Sequence, residues 1–451
     1  MQERLSRSTK LIYGFGETGI SLTTTILSAY FAIFLTDVVG IAPGTAAIAI
    51  FVGRSWDYIN DLLIGYISDR TRTRWGRRRP FLLFGALPLA LFFTSMWYHP
   101  PFENQAFLAV YYALAYVMFD SAATFVYMPF CALTPELTSN YDERTELTAY
   151  RMFFSILGSL IAFTIPLMIV GSFQPQNTGR ILQMGVFFAT ASAIPQLLVF
   201  WKTRERQEYT NLVQPGLVES LKAAAKNRPF VFSVVIFLLT GVSVDILQIT
   251  LLYFVKYVVQ REAQSGLIMA VIFVTAILFL SFWGWVSKRW NKRLAYSAGV
   301  AFWAVVQIGL IFLNSNTALP VILTLCIMAG VGVSAAIMLP WSMIPDATEW
   351  DEWQTGERHE GMFYSLVTLA QKVASSIALP LVLILLQVTG YGPGITYQPE
   401  SALLGIRLAI GAIPALLLSG GIIFAIFYPL SREIHQRIVQ ELEARRHQAP
   451  V

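Results

Sequence analysis

The chain has 451 residues, 55% hydrophobic and only 13% charged, where soluble chains of this size carry about a quarter charged residues. With a mean hydropathy of +0.58, an ordinary soluble enzyme is excluded and an all-α membrane protein is expected. The formal net charge of +5 falls in loops, as set out below, so it reports topology and does not call for nucleic acid as a partner.

Twelve apolar stretches of spanning length follow one another, at roughly 11–37, 44–68, 80–98, 105–135, 148–172, 181–201, 229–257, 264–287, 293–314, 317–345, 361–389 and 403–430. Helices are the expected form, because barrel strands would be about ten residues long and alternating. The first stretch carries Glu17 and is followed by further spans, so it is expected to be retained and not cleaved. The two cysteines, Cys131 and Cys326, lie far apart in apolar segments, with no metal or disulfide pattern, and are expected to be small core residues.

Basic residues orient the spans. The N-terminus, the loops after even-numbered spans and the tail hold 25 of the 32 lysines and arginines; the opposite loops hold only Arg180, Lys256 and Arg261. Both termini are therefore expected in the cytoplasm. Six arginines crowd into residues 70–79. They suit attraction to anionic membrane lipid, and a latch between halves through the acids of DERTE (142–146) or DATEWDEWQTGERHE (346–360). The longest polar stretch, 202–228, divides the spans six and six. Domains are expected at 1–201 and 229–430, with a linker at 202–228 and a tail at 431–451. A short helix is expected at 216–229. In the tail, Ile434, Ile438, Val439 and Leu442 share a helical face, expected on the membrane or on the protein.

The halves echo each other. MPFCALTPELT (128–138) parallels LPWSMIPDAT (339–348), YRMFFS (150–155) parallels GMFYS (361–365), and GYISDRTRTRWGRRR (65–79) parallels GWVSKRWNKR (284–293). A parallel repeat of this kind is that of the two halves of major facilitator transporters, with a site expected between them near the midplane.

GRSWDYINDLLIG, residues 53–65, puts charge where lipid is the expected solvent. Asp57 and Asp61 are four apart and share a helix face with Asn60. Two carboxylates and an amide oxygen suit a hard cation such as sodium. Close carboxylates resist joint ionisation, so a cation, a proton or a base must compensate. Arg54, Arg151 and Lys372 are the candidate bases. The competing reading is a permanent ion-pair network that only fixes packing, although intramembrane charge is costly and usually functional. Proton coupling through an aspartate is a further alternative. Weaker polar signals are Glu17, Thr18 and Ser21 on the first span, Asp120, Thr124 and Tyr127 on the fourth, Asp245 and Gln248 on the seventh, and Gln371 beside Lys372 on the eleventh. Trp341 is a candidate cavity-lining residue on the tenth.

Together KLIYGFGETG, FLTDVVG, GRSWDYINDLLIG, RTRWGRRRPF, PELTSNYDERTELTAYRMFFSILG and LPWSMIPDATEWDEWQTGERHEGMFYSLVTLAQK resemble the glycoside–pentoside–hexuronide:cation symporters over nearly all of the chain. The resemblance implies a major facilitator fold and sodium- or proton-driven uptake of a small solute. It implies a cation site at Asp57, Asn60, Asp61 and Thr124, and matches Lys372, Arg54 and, within one position, Arg151 to family basic residues. It departs at the sugar site: Ile20 and Ser21 replace a lysine–aspartate pair, and Tyr127 and Cys131 replace an aspartate and a tryptophan. Two carboxylates that would clamp sugar hydroxyls are thus absent. The same pattern, with its YRM and EG-x-FY motifs, also resembles the sodium-dependent lysophosphatidylcholine symporters, so a lysolipid is the alternative substrate to a glycoside or related sugar, and an anionic solute meeting Arg151 and Lys372 is a third. Substrate contacts are expected among Arg54, Glu17, Ser21, Tyr127, Arg151, Trp341 and Lys372. A bacterial inner-membrane location, a monomer and no enzymatic activity are expected. A receptor or scaffold on the same fold is the competing class.

Overall fold

A computed structural model describes residues 5–138, 141–205, 224, 226–355, 360–395, 397–430 and 432–448. Secondary structure in these residues is helical, apart from one isolated bridge, Thr73 to Gly76. Helix α1 is Arg7–Ile33, α2 Pro43–Ser55, α3 Asp57–Arg70, α4 Arg79–Met96, α5 Gln105–Leu137, α6 Tyr141–Val170 and α7 Thr178–Lys202. After the linker come α8 Arg228–Tyr253, α9 Ser265–Arg289, α10 Lys292–Ile311, α11 Leu319–Thr355, α12 Glu360–Val388, α13 Glu400–Arg407, α14 Ile413–Ile426 and α15 Arg432–Gln448. Eleven helices among the described residues are long and apolar enough to cross a membrane. This is an integral membrane protein. The stretch expected as the second span, 44–68, is two helices of 13 and 14 residues. They meet at Trp56, whose backbone stays right-handed helical (φ −62°, ψ −32°), and the charges of GRSWDYIND flank that junction.

One expectation changes. DATEWDEWQ is not a loop but the end of α11, which runs to Thr355. The tail makes this possible: Ile438 and Leu442 of α15 are buried, and Trp353 Nε1 donates to Glu441 at 2.7 Å. The tail thus packs on protein, although Ile434 stays exposed. The acids expected to latch the halves pair within their own part of the chain wherever their partners are described. Lys10 meets Glu143 at 3.0 Å and Glu146 at 2.6 Å, and Lys292 meets Asp346 at 2.6 Å. The arginine loop is held by side chains, with Arg78 Nη1 donating to Ser68 Oγ at 2.5 Å and Arg79 Nη2 to the Phe200 carbonyl at 2.6 Å, and by its backbone. The N–H groups of Arg77, Arg78 and Arg79 donate to the Glu205 carboxylate at 2.5, 2.7 and 2.8 Å, which caps the start of α4. Gly76, at φ +108°, lets the carboxylate approach; a Cβ there would lie 2.6 Å from it. The helix expected at 216–229 lies largely outside the described residues.

The helices before and after the linker are joined at the opposite end. There α1 and α8 each close with a π-turn, Phe34–Val38 and Phe254–Val258. The Asp37 carboxylate, fully buried, meets Lys256 Nζ at 2.5 Å. It also accepts from Thr36 at 2.9 Å and from the hydroxyls of Tyr257 and Tyr391. Nearby, Gly44 N–H donates to Gln387 at 3.1 Å. Deeper, Phe163 of α6 stacks on Phe273 of α9 at 4.0 Å.

Two outcomes are expected. Lys256→Met leaves a buried carboxylate without its counter-ion, a loss of about 3–5 kcal/mol for such pairs. In a cysteine-free background, a reporter at the buried Ile33 should then react faster with a membrane-impermeant maleimide; an unchanged rate would show that the pair does not hold this end shut. At the tail, His435 lies 2.6 Å from Glu349 and 3.4 Å from Asp346, with Lys292 facing Asp346 at 2.6 Å. The hydrogen bond to Glu349 raises its pKa above the ordinary 6.5. Its contribution is therefore complete below pH 6.5 and lost as pH rises through the raised folded value. Hydrogen exchange along 432–448, corrected for intrinsic base catalysis, should speed up on raising the pH above 6.5. His435→Ala should remove that dependence.

Candidate functional site

The junction of α2 and α3 carries the first cluster. Asp57 opens α3, and Asn60 and Asp61 lie one turn on, so all three face one way. Three polar contacts dock this turn on α5: Trp56 Nε1 to Ser121 Oγ at 2.8 Å, Thr124 Oγ1 to Asp57 at 3.3 Å, and Asn60 Nδ2 to the Asp120 carbonyl at 3.2 Å. Asn60 is buried. The four candidate cation ligands of the sequence are therefore brought together, and Asp120 joins them.

The compensating charge comes from the other side of the linker. Lys372, near the middle of α12, places its ammonium 2.9 Å from Asp57 and 2.5 Å from Asp61. Asp61 Oδ1 is buried with no hydrogen-bond partner among the described residues. One face of α12 makes further contacts with α2 and α3. Arg54 Nη1 donates to the Ser375 carbonyl at 2.6 Å, and the Tyr58 and Ser376 hydroxyls meet. Arg54 Nε also donates to Tyr116 at 2.9 Å. Ser375 Oγ in turn donates to Asp245 of α8 at 2.5 Å. Arg54 and Lys372 thus belong to this cluster.

A second cluster lies between α1, α5 and α6. Arg151 Nε meets Glu17 at 2.8 Å, and its Nη2 donates to Cys131 at 3.1 Å. Ser21 Oγ and Ser155 Oγ lie 2.9 Å apart. Tyr127 stands one turn before Cys131 on α5, so the two share a helix face. Glu17, Ser21, Tyr127 and Arg151 therefore come together. Cys131 is part of this polar cluster, not the inert core residue expected, whereas Cys326 is buried as expected. Trp341 packs edge-on to Phe237 of α8, ring centres 4.7 Å apart.

Asp37 and its tyrosine partners went unassigned in the sequence. The signal was present: an aspartate at the end of an apolar run, in FLTDVVG, with a lysine at the end of the repeat-related run. Neither residue gave its partner, because the pair spans 219 positions.

Residues 12–432 match the family described as MFS/sugar transport protein. An uncharacterized symporter of Synechocystis sp. is 34% identical, the alignment covering 98% of each chain. The sodium-dependent lysophosphatidylcholine symporter 1-A of Danio rerio is 30% identical, over 94% of this chain and 86% of that one. In fold, the crystal structure of a D-xylose-proton symporter superposes with a TM-score of 0.67 at 13% identity, covering 94% of this chain and 97% of that one. The all-helical architecture is the major facilitator fold. The chain belongs to the MFS/sugar transport protein family.

Proposed function

We propose that the protein is a secondary active symporter that couples entry of a cation, sodium, to import of a small solute by alternating access. The observation that carries this is the Lys372 ammonium seated between Asp57 and Asp61. A monovalent cation of the protein's own already stands where sodium would bind. Sodium would take oxygens from Asp57, Asn60, Asp61 and Thr124, a donor set suited to a hard cation, and the unpartnered Asp61 Oδ1 supplies a free ligand atom. Because sodium and Lys372 compete for the same carboxylates, cation binding loosens the contact between the parts of the chain on either side of the linker. A proton on one aspartate is the alternative driver.

In this reading the paired helices α2 and α3 form a twelfth span. Two six-helix units, 1–201 and 229–430, rock about the site, joined by 202–228 and followed by the tail 431–451. The arginine-rich end and both termini face the cytoplasm, and the membrane is the bacterial inner membrane. The protein acts as a monomer and performs no covalent chemistry. The driving force is adequate: about 2.3 kcal/mol per charge at 100 mV, with about 1.4 for a tenfold sodium gradient, supports roughly 500-fold accumulation of a neutral solute at one-to-one coupling.

The solute we infer is a glycoside or related sugar, held by the second cluster with Arg54. A lysophospholipid is the second reading, and one observation favours it. The Glu17–Arg151 pair sets opposite charges 2.8 Å apart, matching a zwitterionic headgroup in which a phosphate suits the guanidinium and a quaternary ammonium suits the carboxylate. The relatedness to a lysophosphatidylcholine symporter points the same way.

Three measurements test these statements. In proteoliposomes, Asp57→Cys and Asp61→Cys should each abolish cation-driven uptake while the protein stays folded; retention of full sodium-stimulated uptake by both would remove the cation assignment. Counterflow that fails with every ligand the protein binds would instead indicate a receptor or scaffold. A thermal-stability screen comparing sodium with potassium, across glycosides, uronates and sub-micellar lysophospholipids, should show sodium-dependent stabilisation by a sugar. Stabilisation by lysolipid alone would transfer the assignment to the second reading.

A further inference from the structure

Two basic residues in the middle of the structure reach across to helices from the other side of the linker. Lys372 of α12 is held by Asp57 and Asp61 of α3. Arg54 of α2 donates to the Ser375 carbonyl of α12, and Ser375 Oγ donates to Asp245 of α8. Ser375 therefore sits between a guanidinium from before the linker and a carboxylate from after it. Lys372 meets acids of the other side directly, whereas Arg54 reaches a carbonyl of the residue whose side chain meets Asp245, and these contacts tie the helices together.

A cation on Asp57 and Asp61 would leave the Lys372 ammonium without a partner, which the membrane interior strongly disfavours. The ammonium must find another acid. Ser375 lies three residues beyond Lys372, so both side chains leave the same face of α12. The Asp245 carboxylate already touches that face, 2.5 Å from Ser375 Oγ. Lysine's flexible stem and rotatable donors suit such a swing. Among the described residues, Asp245 is the carboxylate after the linker that contacts this face of α12.

We propose that Asp245 receives the Lys372 ammonium when the cation occupies Asp57 and Asp61; the inference rests on the cation-coupled reading above. No bond is made or broken beyond the exchange of ion pairs. After it, Lys372 is paired with an acid from its own side of the linker, and α12 is no longer tied by charge to α3. Asp245 thereby sets how easily sodium displaces Lys372, and acts on the cation site through it as a positioning residue.

The test is a sodium titration of the purified full-length protein, followed by intrinsic tryptophan fluorescence, with potassium as control. Asp245→Asn should raise the half-saturating sodium concentration about tenfold, within the range of coupling between linked sites, because Lys372 then loses the acid on its own side of the linker. In a Lys372→Gln background the competitor is gone, so adding Asp245→Asn should change nothing. Ser375→Ala should shift wild-type half-saturation in the same direction by less, and carries the test if Asp245→Asn does not fold. An unchanged half-saturation in Asp245→Asn, or an equal shift with and without Lys372, would overturn the proposal while leaving the cation reading intact. A wild-type protein that answers neither sodium nor pH would remove the cation reading, and this inference with it.

Discussion

The structure turns on one ammonium between two carboxylates. Lys372 joins α12 to α3 at the depth where an uncompensated charge is least tolerated, and it does so from the far side of the linker. Neither partner is stable there alone. Two carboxylates four residues apart repel each other in low dielectric, and an unpaired ammonium is costly in the membrane interior. Together they satisfy one another, at the cost that any cation entering the site must compete with the protein's own. A chain that needed only rigidity would do better with apolar residues here, because buried ion pairs are weak devices for stability. In the proposed function their value lies in being exchangeable.

The two ends of the molecule are built differently around that centre. At the arginine-rich end, the described charges brace elements within one part of the chain: Lys10 with Glu143 and Glu146, Glu205 with the amides of Arg77 to Arg79, Lys292 with Asp346. At the other end, Asp37 and Lys256 join the two parts, and three further hydroxyls hold the carboxylate. In the proposed rocking motion, contacts within a part would be kept, whereas contacts between parts, such as the Asp37 cluster, would have to break.

Much of the frame was legible beforehand. Helix ends fall within a few residues of most of the apolar stretches, because hydropathy over about twenty residues reports the lipid environment directly. The exceptions are instructive. The end of α11 carries Asp346, Glu349 and Asp351, so hydropathy marked it as loop; it is helical because α15 covers it. The second stretch is apolar enough only outside GRSWDYIND, and it is there that the helix divides. In the candidate site, spacing alone aligned Asp57, Asn60 and Asp61, while Thr124 came from family resemblance, as did the matching of Lys372 to a functional basic residue. Asp245 stood among several isolated polar residues, with nothing to separate it from a satisfied core position.

What the sequence determined by itself was the solvent, the number and approximate limits of the apolar stretches, the basic asymmetry of the loops and the shared face of the two aspartates. These follow from composition and helical periodicity, which act within a few turns. Only the tertiary structure decided who answers each charge: Lys372 for Asp57 and Asp61, Lys256 for Asp37, Arg151 for Glu17, and Ser375 between Arg54 and Asp245. Ion pairs form through space between helices far apart in the chain. A lone buried charge announces that a partner exists, but packing alone chooses which one reaches it.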